Sequence, residues 1–576
     1  MADLARSLFR RRSIAELHAE GERSGLKRAL GPVDLVMLGV GAVVGAGIFG
    51  TIGQAAAAAG PAVMISFVLT AVACALAGLC YAELTSIVPI AGSAYTYAYA
   101  TLGQLVAWVI GWDLILEYAI GNVGVAISWA DYARSFLGEL GVDFPIWLAQ
   151  DPRALTDASP DVQAAIRSTA PHIGGQPICF NLLAVSITVL ITWLLVRGVK
   201  ESARVNNAIV MLKLGVLLFV VGVGLTTADF GRWGLAPYDA KTFAPNGWDG
   251  IAKAAGLLFF SYIGFDAVST AAEETKRPGR DLPIGILGSL VLCTVLYIAI
   301  GGVATALMPY QELRNTADPL AVAVKGSRIS WAPLVVSAGA TLSMTAVLLV
   351  FQMGQPRILM SMSRDGLLPP LYARIHPKYR TPAVSTILTG LVVCSFSAFA
   401  NIAEIVNLVN IGTLFAFVVV CIGTLVLRWR HPELKRPFRA PLLAFVAPAG
   451  VLLCIYLMAQ LGPENWARLA LWLVVGLNVY FAYGFPRNAA TAEQAERVRR
   501  TACVVFAVVI AAVALFLWKG DEWMSSRTAD GKTAWDVWVG FPPVMAHGMA
   551  LFLAAIVVWN VAGAAKGRAR AARAEN

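Results

Sequence analysis

Residues 39–50 read Gly39-Val40-Gly41-Ala42-Val43-Val44-Gly45-Ala46-Gly47-Ile48-Phe49-Gly50. They lie inside an apolar run at 33–57, long enough to cross a hydrocarbon layer about 30 Å thick. Backbone at that depth has to satisfy its own hydrogen bonds, so the run is helical. Five glycines in twelve residues make it a poor rigid helix. Small residues also let membrane helices pack closely, and packing alone explains one such stretch. A second stretch shifts the balance toward interruption. Residues 259–266 read Phe259-Phe260-Ser261-Tyr262-Ile263-Gly264-Phe265-Asp266, again a glycine near mid-span among aromatics. The two stretches stand at the head of two successive blocks of five spans. Interrupted helices at matching positions of two halves are what an inverted repeat places around its site.

The rest of the composition agrees with a membrane setting. Of 576 residues, 58% are hydrophobic and 14% charged, against about 25% charged in soluble domains; the mean hydropathy is +0.68. Fourteen apolar spans are expected, near 33–57, 62–82, 93–133, 179–196, 206–226, 250–271, 283–308, 332–360, 382–401, 404–427, 441–461, 465–485, 501–518 and 537–562. The third run is too long for one straight crossing and predicts a long tilted helix plus a short extracellular or interfacial piece. The eight cysteines form no CxxC pair and read as small buried hydrophobes.

The net charge of +10 does not point to nucleic acid, because the basic residues collect on one side. With the N-terminus inside, the inner segments carry 31 Lys and Arg and the outer ones 13. That bias puts both termini in the cytoplasm. Residues 1–31 lack the apolar core of a signal peptide. Leu4, Leu8, Ile14 and Leu17 suit either a helix lying on the inner face or a solvated tail. The outer loop 135–178 reads as a partly ordered cap, and the Ala/Arg-rich tail 566–576 as a basic anchor.

An interrupted helix frees N–H groups on one half and C=O groups on the other. The N–H end suits a carboxylate and the C=O end an ammonium. Two facing breaks therefore match an α-amino acid. Ionisable groups at membrane depth are costly and mark function. Lys213, in Asn206-Asn-Ala-Ile-Val-Met-Leu-Lys213, reads either as a snorkelling lysine or as a buried amine that takes and releases a proton. Glu117, in Gly111-Trp-Asp-Leu-Ile-Leu-Glu117-Tyr118, reads as a group facing the site, in contact with substrate or moving protons; Asp113 reads as a membrane-edge carboxylate. Asp266 reads as a cap on the second half of span six. Glu273 and Glu274, beside Lys276, Arg277 and Arg280, read as an inner gate or a solvated loop. Met344, in Leu342-Ser343-Met344-Thr345, is a weaker site candidate. No HExxH, GxSxG or GxxxxGK[ST] pattern is present, which argues against an enzyme and against direct ATP coupling.

These residues resemble the amino acid–polyamine–organocation superfamily, and within it the cationic amino acid transporter family. The resemblance rests on Gly45-Ala-Gly47-Ile-Phe49, Tyr81-Ala-Glu83-Leu84, Pro89-Ile-Ala-Gly92-Ser93-Ala-Tyr95, Gly111-Trp-Asp-Leu-Ile-Leu-Glu117-Tyr118, Phe260-Ser-Tyr-Ile-Gly264-Phe265-Asp266, Glu273-Glu274-Thr-Lys276-Arg-Pro278 and Ser361-Met-Ser-Arg364-Asp365-Gly366. It implies an all-α membrane protein with a leucine-transporter-like five-plus-five inverted repeat. Fourteen transmembrane helices are expected, the first and sixth discontinuous. It implies that the substrate carboxylate meets the N–H groups of Gly45, Ala46 and Gly47, and its amine the carbonyls near Val43, Phe260 and Ile263. Ile48, Ser261, Gly264, Glu117 and Met344 complete the expected substrate site. Phe260 is the implied outer gate. Lys213 falls where proton-coupled relatives keep a lysine in place of sodium, and Glu117 matches an acidic residue of the third helix.

The expected organisation is a cytoplasmic tail (1–31), a ten-helix core (32–430, with repeats at 32–226 and 250–427), four further helices (431–565) and the tail 566–576. The expected activity is import of L-amino acids by proton symport in a bacterial inner membrane. No cofactor is expected beyond the proton gradient. The expected partners are the amino acid and the bilayer, with a small single-span accessory subunit left open and nucleic acid excluded. Broad or small neutral substrates are favoured because Met344 is apolar. The alternatives are an amino acid exchanger, a fourteen-helix drug/proton antiporter with two parallel six-helix halves, and a sensor that binds without transporting.

Overall fold

The computed structural model describes residues 7–14, 28–89, 93–157, 160–173, 176–198, 203–234, 239–314, 316–488 and 491–523, with isolated residues 16 and 556. Span 537–562 and the basic tail fall outside this set, apart from residue 556. So do most of residues 15–27.

The chain is helical. Its long helices are α1 (Pro32–Val43), α2 (Ile52–Ala59), α3 (Val63–Ile87), α4 (Ser93–Thr101), α5 (Gln104–Ile115), α6 (Gly121–Glu139), α7 (Leu182–Arg197) and α8 (Ala203–Thr227). They continue with α9 (Gly247–Leu258), α10 (Pro278–Leu307), α11 (Ala332–Arg364), α12 (Ala383–Phe399), α13 (Ile402–Arg430), α14 (Leu443–Gln460), α15 (Pro463–Val479) and α16 (Ala492–Trp523). Among the described residues, ten helical stretches are long and apolar enough to cross a membrane. The first of them, Pro32–Ile87, holds two of the expected spans, and α7 and α12 are shorter apolar helices. The only strands among the described residues are the two-residue pair His172–Ile173 and Gln176–Pro177.

The long third run is divided as expected, but its short piece stands at the N-terminal end. This piece is α4, separated from α5 by Gly103 at φ 107°. The N–H of Gln104 donates to the Arg10 carbonyl at 2.9 Å, so residues 7–14 pack beneath this corner. Leu8 and Ile14 rest on the core, and Arg12 pairs with Asp365 at 3.2 Å. This stretch of the N-terminal segment is thus docked on the protein. Seven of the eight cysteines are buried and Cys394 is partly so; all are free.

Several helices pack against partners far away in the sequence. α3 lies along α10, α6 along α11 and α7 along α12, while α1 meets the broken stretch that follows α9. α14 covers α13, α3 and α9, and α15 packs on α5 and α13. The α5–α15 joint is aromatic: Trp112 and Trp472 stack at 4.8 Å and exchange indole N–H bonds to each other's carbonyls.

On the opposite face, loop 140–181 has a small core of Ala154, Ile166, Ala170 and Cys179. Asp151 docks it, accepting bonds from the Arg153 N–H and the Asn401 amide. Arg153 pairs with Glu404 at 2.7 Å. Burial pushes the Asp151 carboxyl up to about 6. A carboxyl raised on folding stabilises its protonated form, so docking is tightest below the free-acid value and weakens as pH rises through 6. Hydrogen exchange at 146–157, corrected for intrinsic rate, is expected to be slower at pH 5 than at pH 7.5, and Asp151→Asn to abolish that difference.

Candidate functional site

The helical geometry fails where the glycines cluster. α1 stops at Val43, and Val44 turns to extended backbone (φ −76°, ψ 100°). The chain resumes as a π-helical turn, Gly47–Thr51, before α2. The second break is sharper. α9 tightens into the 3₁₀ turn Phe259–Tyr262, Ile263 is extended, and Gly264 takes φ 111°. Only glycine adopts that conformation at low cost. A second 3₁₀ helix, Phe265–Glu274, follows.

The two breaks touch. A Cβ on Gly47 would lie 2.2 Å from the Ser261 Cα and 2.9 Å from the Phe260 carbonyl oxygen. A Cβ on Gly264 would lie 3.0 Å from the Ala42 oxygen. Glycine at 47 is thus required for backbone to meet backbone. Val43, Ala46, Ile48, Phe260, Ser261 and Ile263 are all buried around this contact. Gly45 abuts Val347 of α11, and Met344 is completely buried one turn away. The Ser261 hydroxyl is buried without a hydrogen-bond partner among the described residues.

Lys213 reaches the same break. It is 1% exposed, and its Nζ donates to the carbonyls of Gly41 at 2.7 Å and Val44 at 3.2 Å. The snorkelling alternative is therefore excluded: the amine points inward, onto carbonyls released by the end of α1. Two further donors serve carbonyls at this helix end. The Tyr297 hydroxyl bonds the Val43 oxygen at 3.1 Å, and the Ser343 hydroxyl the Val44 oxygen at 3.2 Å. The family resemblance implies a substrate amine at the Val43 carbonyl and gives no role to Tyr297. Nothing in the sequence around Tyr297 marks it, since the contact spans 254 positions.

Glu117 stands beside the second broken helix, next to Asp266. It lies in a π-helical turn, Leu116–Ile120, inserted between α5 and α6. Such turns carry an extra residue and often mark functional positions. Glu117 faces Thr413 of α13 and has Asp266 and Asp113 as neighbours. One expectation changes here. Asp113 is 1% exposed and lies under Gly412, so it is not at a membrane edge. Gly264 occupies the N-cap position of the second half-helix, and Asp266, buried in its first turn, has the N–H groups of Gly264, Asp266 and Ala267 beside its carboxylate, as a capping side chain does.

A cavity of about 480 Å³ opens on the face that carries the N-terminal segment, with Arg12, Glu273, Glu274, Arg364 and Asp365 on its wall. The Glu274 carbonyl accepts the N–H groups of Ala29 and Leu30, so the end of the second broken helix is tied to the entry of α1. Glu273 and Glu274 are therefore part of a folded wall. No group of metal-binding side chains occurs among the described residues.

The comparisons with known proteins bear on this arrangement directly. The family described as Amino acid permease matches residues 30–479. The chain belongs to that family. It is 41% identical to the branched-chain amino acid permease BcaP of Bacillus subtilis (83% of this chain, 97% of the relative). It is 42% identical to the methylthioribose transporter of the same organism (83% and 98%). It is 38% identical to the vacuolar cationic amino acid transporter 4 of Arabidopsis thaliana (74% and 68%). The permease is thus a multi-pass membrane transporter and not an enzyme, within the amino acid–polyamine–organocation superfamily.

Proposed function

We propose that this permease imports neutral L-amino acids by alternating access, in symport with protons, across a bacterial plasma membrane with the N-terminal segment on the cytoplasmic side. The observation that carries the reading is the contact between two interrupted helices. It gathers helix-end N–H groups at Gly45–Gly47 and carbonyls at 260–263 in one buried place. Those two kinds of end suit a carboxylate and an ammonium. The walls favour an uncharged side chain, because Val347, Met344 and Phe260 are apolar and buried. The Bacillus relative named for branched-chain amino acids points the same way.

Counterpart-on-counterpart packing supports a five-plus-five inverted repeat, since helices near a pseudo-twofold axis meet their own mates. In this reading residues 32–430 form the ten-helix core, and the helices beyond it are additions to a total of fourteen. Lys213 supports proton coupling: its ammonium holds the Gly41 and Val44 carbonyls together, and a neutral amine would hold them far less strongly.

A second reading is favoured by the methylthioribose relative, because that solute has neither an α-amine nor a carboxylate. Thermal stabilisation of the purified protein separates the two. Leucine, valine and alanine are expected to stabilise it, while N-acetyl-leucine, leucinamide and methylthioribose are not. Stabilisation by methylthioribose alone would reject the amino acid reading.

A further inference from the structure

Away from the breaks, the end of α13, the start of α14 and the loop between them line an open pocket of about 390 Å³. Leu425, Trp429, Leu442 and Leu443 supply its apolar lining, and Arg428 and Arg439 its charged lining. Arg428 is already committed. Its guanidinium clasps the buried carboxylate of Glu83, with Nε 3.1 Å from Oε1, and bonds the Ala440 carbonyl at 3.2 Å. Arg436 stands 3.2 Å from the same carboxylate, and the Ala440 N–H donates to it at 2.8 Å. Glu83 is thus fully served.

Arg439, one residue before Ala440, is exposed and makes no hydrogen bond or ion pair among the described residues. Beside it, two apolar side chains project outward: Trp429 is 71% exposed and Leu442 80%. An exposed guanidinium lining the same pocket as an exposed tryptophan and leucine, at the end of a membrane helix, sets positive charge beside apolar surface.

We propose that this pocket binds an anionic phospholipid, with Arg439 on the phosphate and Trp429, Leu425 and Leu442 along the upper acyl chain. The assignment rests on the orientation above, which puts this basic face (Arg428, Arg430, Arg436, Arg439) on the cytoplasmic leaflet, where anionic lipids attract basic residues. Tryptophan prefers the headgroup level for the same amphipathic reason. Positive charge beside an apolar lining complements this occupant better than a second copy of the chain, which would bring a second Arg439. The lipid has a structural consequence. Loop 431–442 ties α3 to α13 through Glu83, so a phosphate on Arg439 fastens that tie from outside.

The test uses the full chain in neutral detergent, with bound lipid read by native mass spectrometry and unfolding followed during titration with phosphatidylglycerol. Wild type is expected to retain phosphatidylglycerol in preference to phosphatidylethanolamine and to gain thermal stability from it. Arg439→Gln is expected to weaken this binding about fivefold, the value of one basic residue at an anionic surface, and Arg439→Lys to keep most of it. Trp429→Ala is expected to weaken it as well. Equal retention by Arg439→Gln, or equal preference for phosphatidylethanolamine, would overturn the proposal. So would the same stabilisation by inorganic phosphate alone, or a dimer through Trp429 that excludes lipid. None of these readouts involves transport, so failure here leaves the amino acid reading untouched.

Discussion

Lys213→Ala is expected to abolish concentrative uptake. With one proton per substrate, an inward gradient of one pH unit supports about tenfold accumulation; in the variant the ratio falls to one. The Lys213 amine sits on the Gly41 and Val44 carbonyls, and without it those oxygens lose a charged donor in a buried setting. Each such loss costs about 1–3 kcal/mol, so thermal unfolding has to be followed in parallel. Lys213→Arg separates stability from coupling. It keeps a permanent charge that does not release its proton, and so is expected to keep the fold yet fail to accumulate substrate. The measurement is labelled uptake into proteoliposomes with internal pH one unit higher. Tenfold accumulation by the Ala variant would remove Lys213 from the coupling mechanism.

Gly47→Val is expected to have the second largest effect, on binding. The added carbon meets the Ser261 Cα at 2.2 Å and its backbone nitrogen at 2.7 Å. No side-chain rotation relieves that, so the two breaks are forced apart. Losing two of the charge-assisted backbone bonds to substrate, at about 1.5 kcal/mol or more each, weakens affinity about a hundredfold. Gly45→Ala provides the comparison. Its added carbon has the Val347 side chain as its nearest neighbour, 2.7 Å from Cγ2, and a side chain can shift. It is expected to cost far less affinity. Titration calorimetry on both variants checks the order, and equal losses would show that backbone contact at Gly47 is not what holds the site.

The breaks were legible because glycine is a local statement. Gly264 requires a left-handed φ, and five glycines between 39 and 50 weaken a helix wherever it packs. Lys213 was legible as an anomaly, but its direction was not. Whether the amine snorkels or turns inward depends on which face of α8 meets α1. The same limit applies to Asp113, since its burial is decided by Gly412 on a distant helix. The π turn at Leu116–Ile120 left no mark in residue type, because an inserted residue is a property of hydrogen-bond register. Tyr297 and Ser343 bond the α1 carbonyls from positions more than 250 residues away. Docking of Arg12 on Asp365 was equally hidden, as the charges of the N-terminal segment read the same whether solvated or paired.

Contact between two broken helices, in the function proposed above, makes an amino acid site coupled to protons. The most direct measurement is uptake of labelled leucine into proteoliposomes with and without an inward proton gradient, repeated with a protonophore. Transient accumulation above equilibrium is expected with the gradient, and simple equilibration once the protonophore collapses it. Accumulation that survives the protonophore, or no uptake of leucine, valine or alanine under any gradient, would contradict the proposed function.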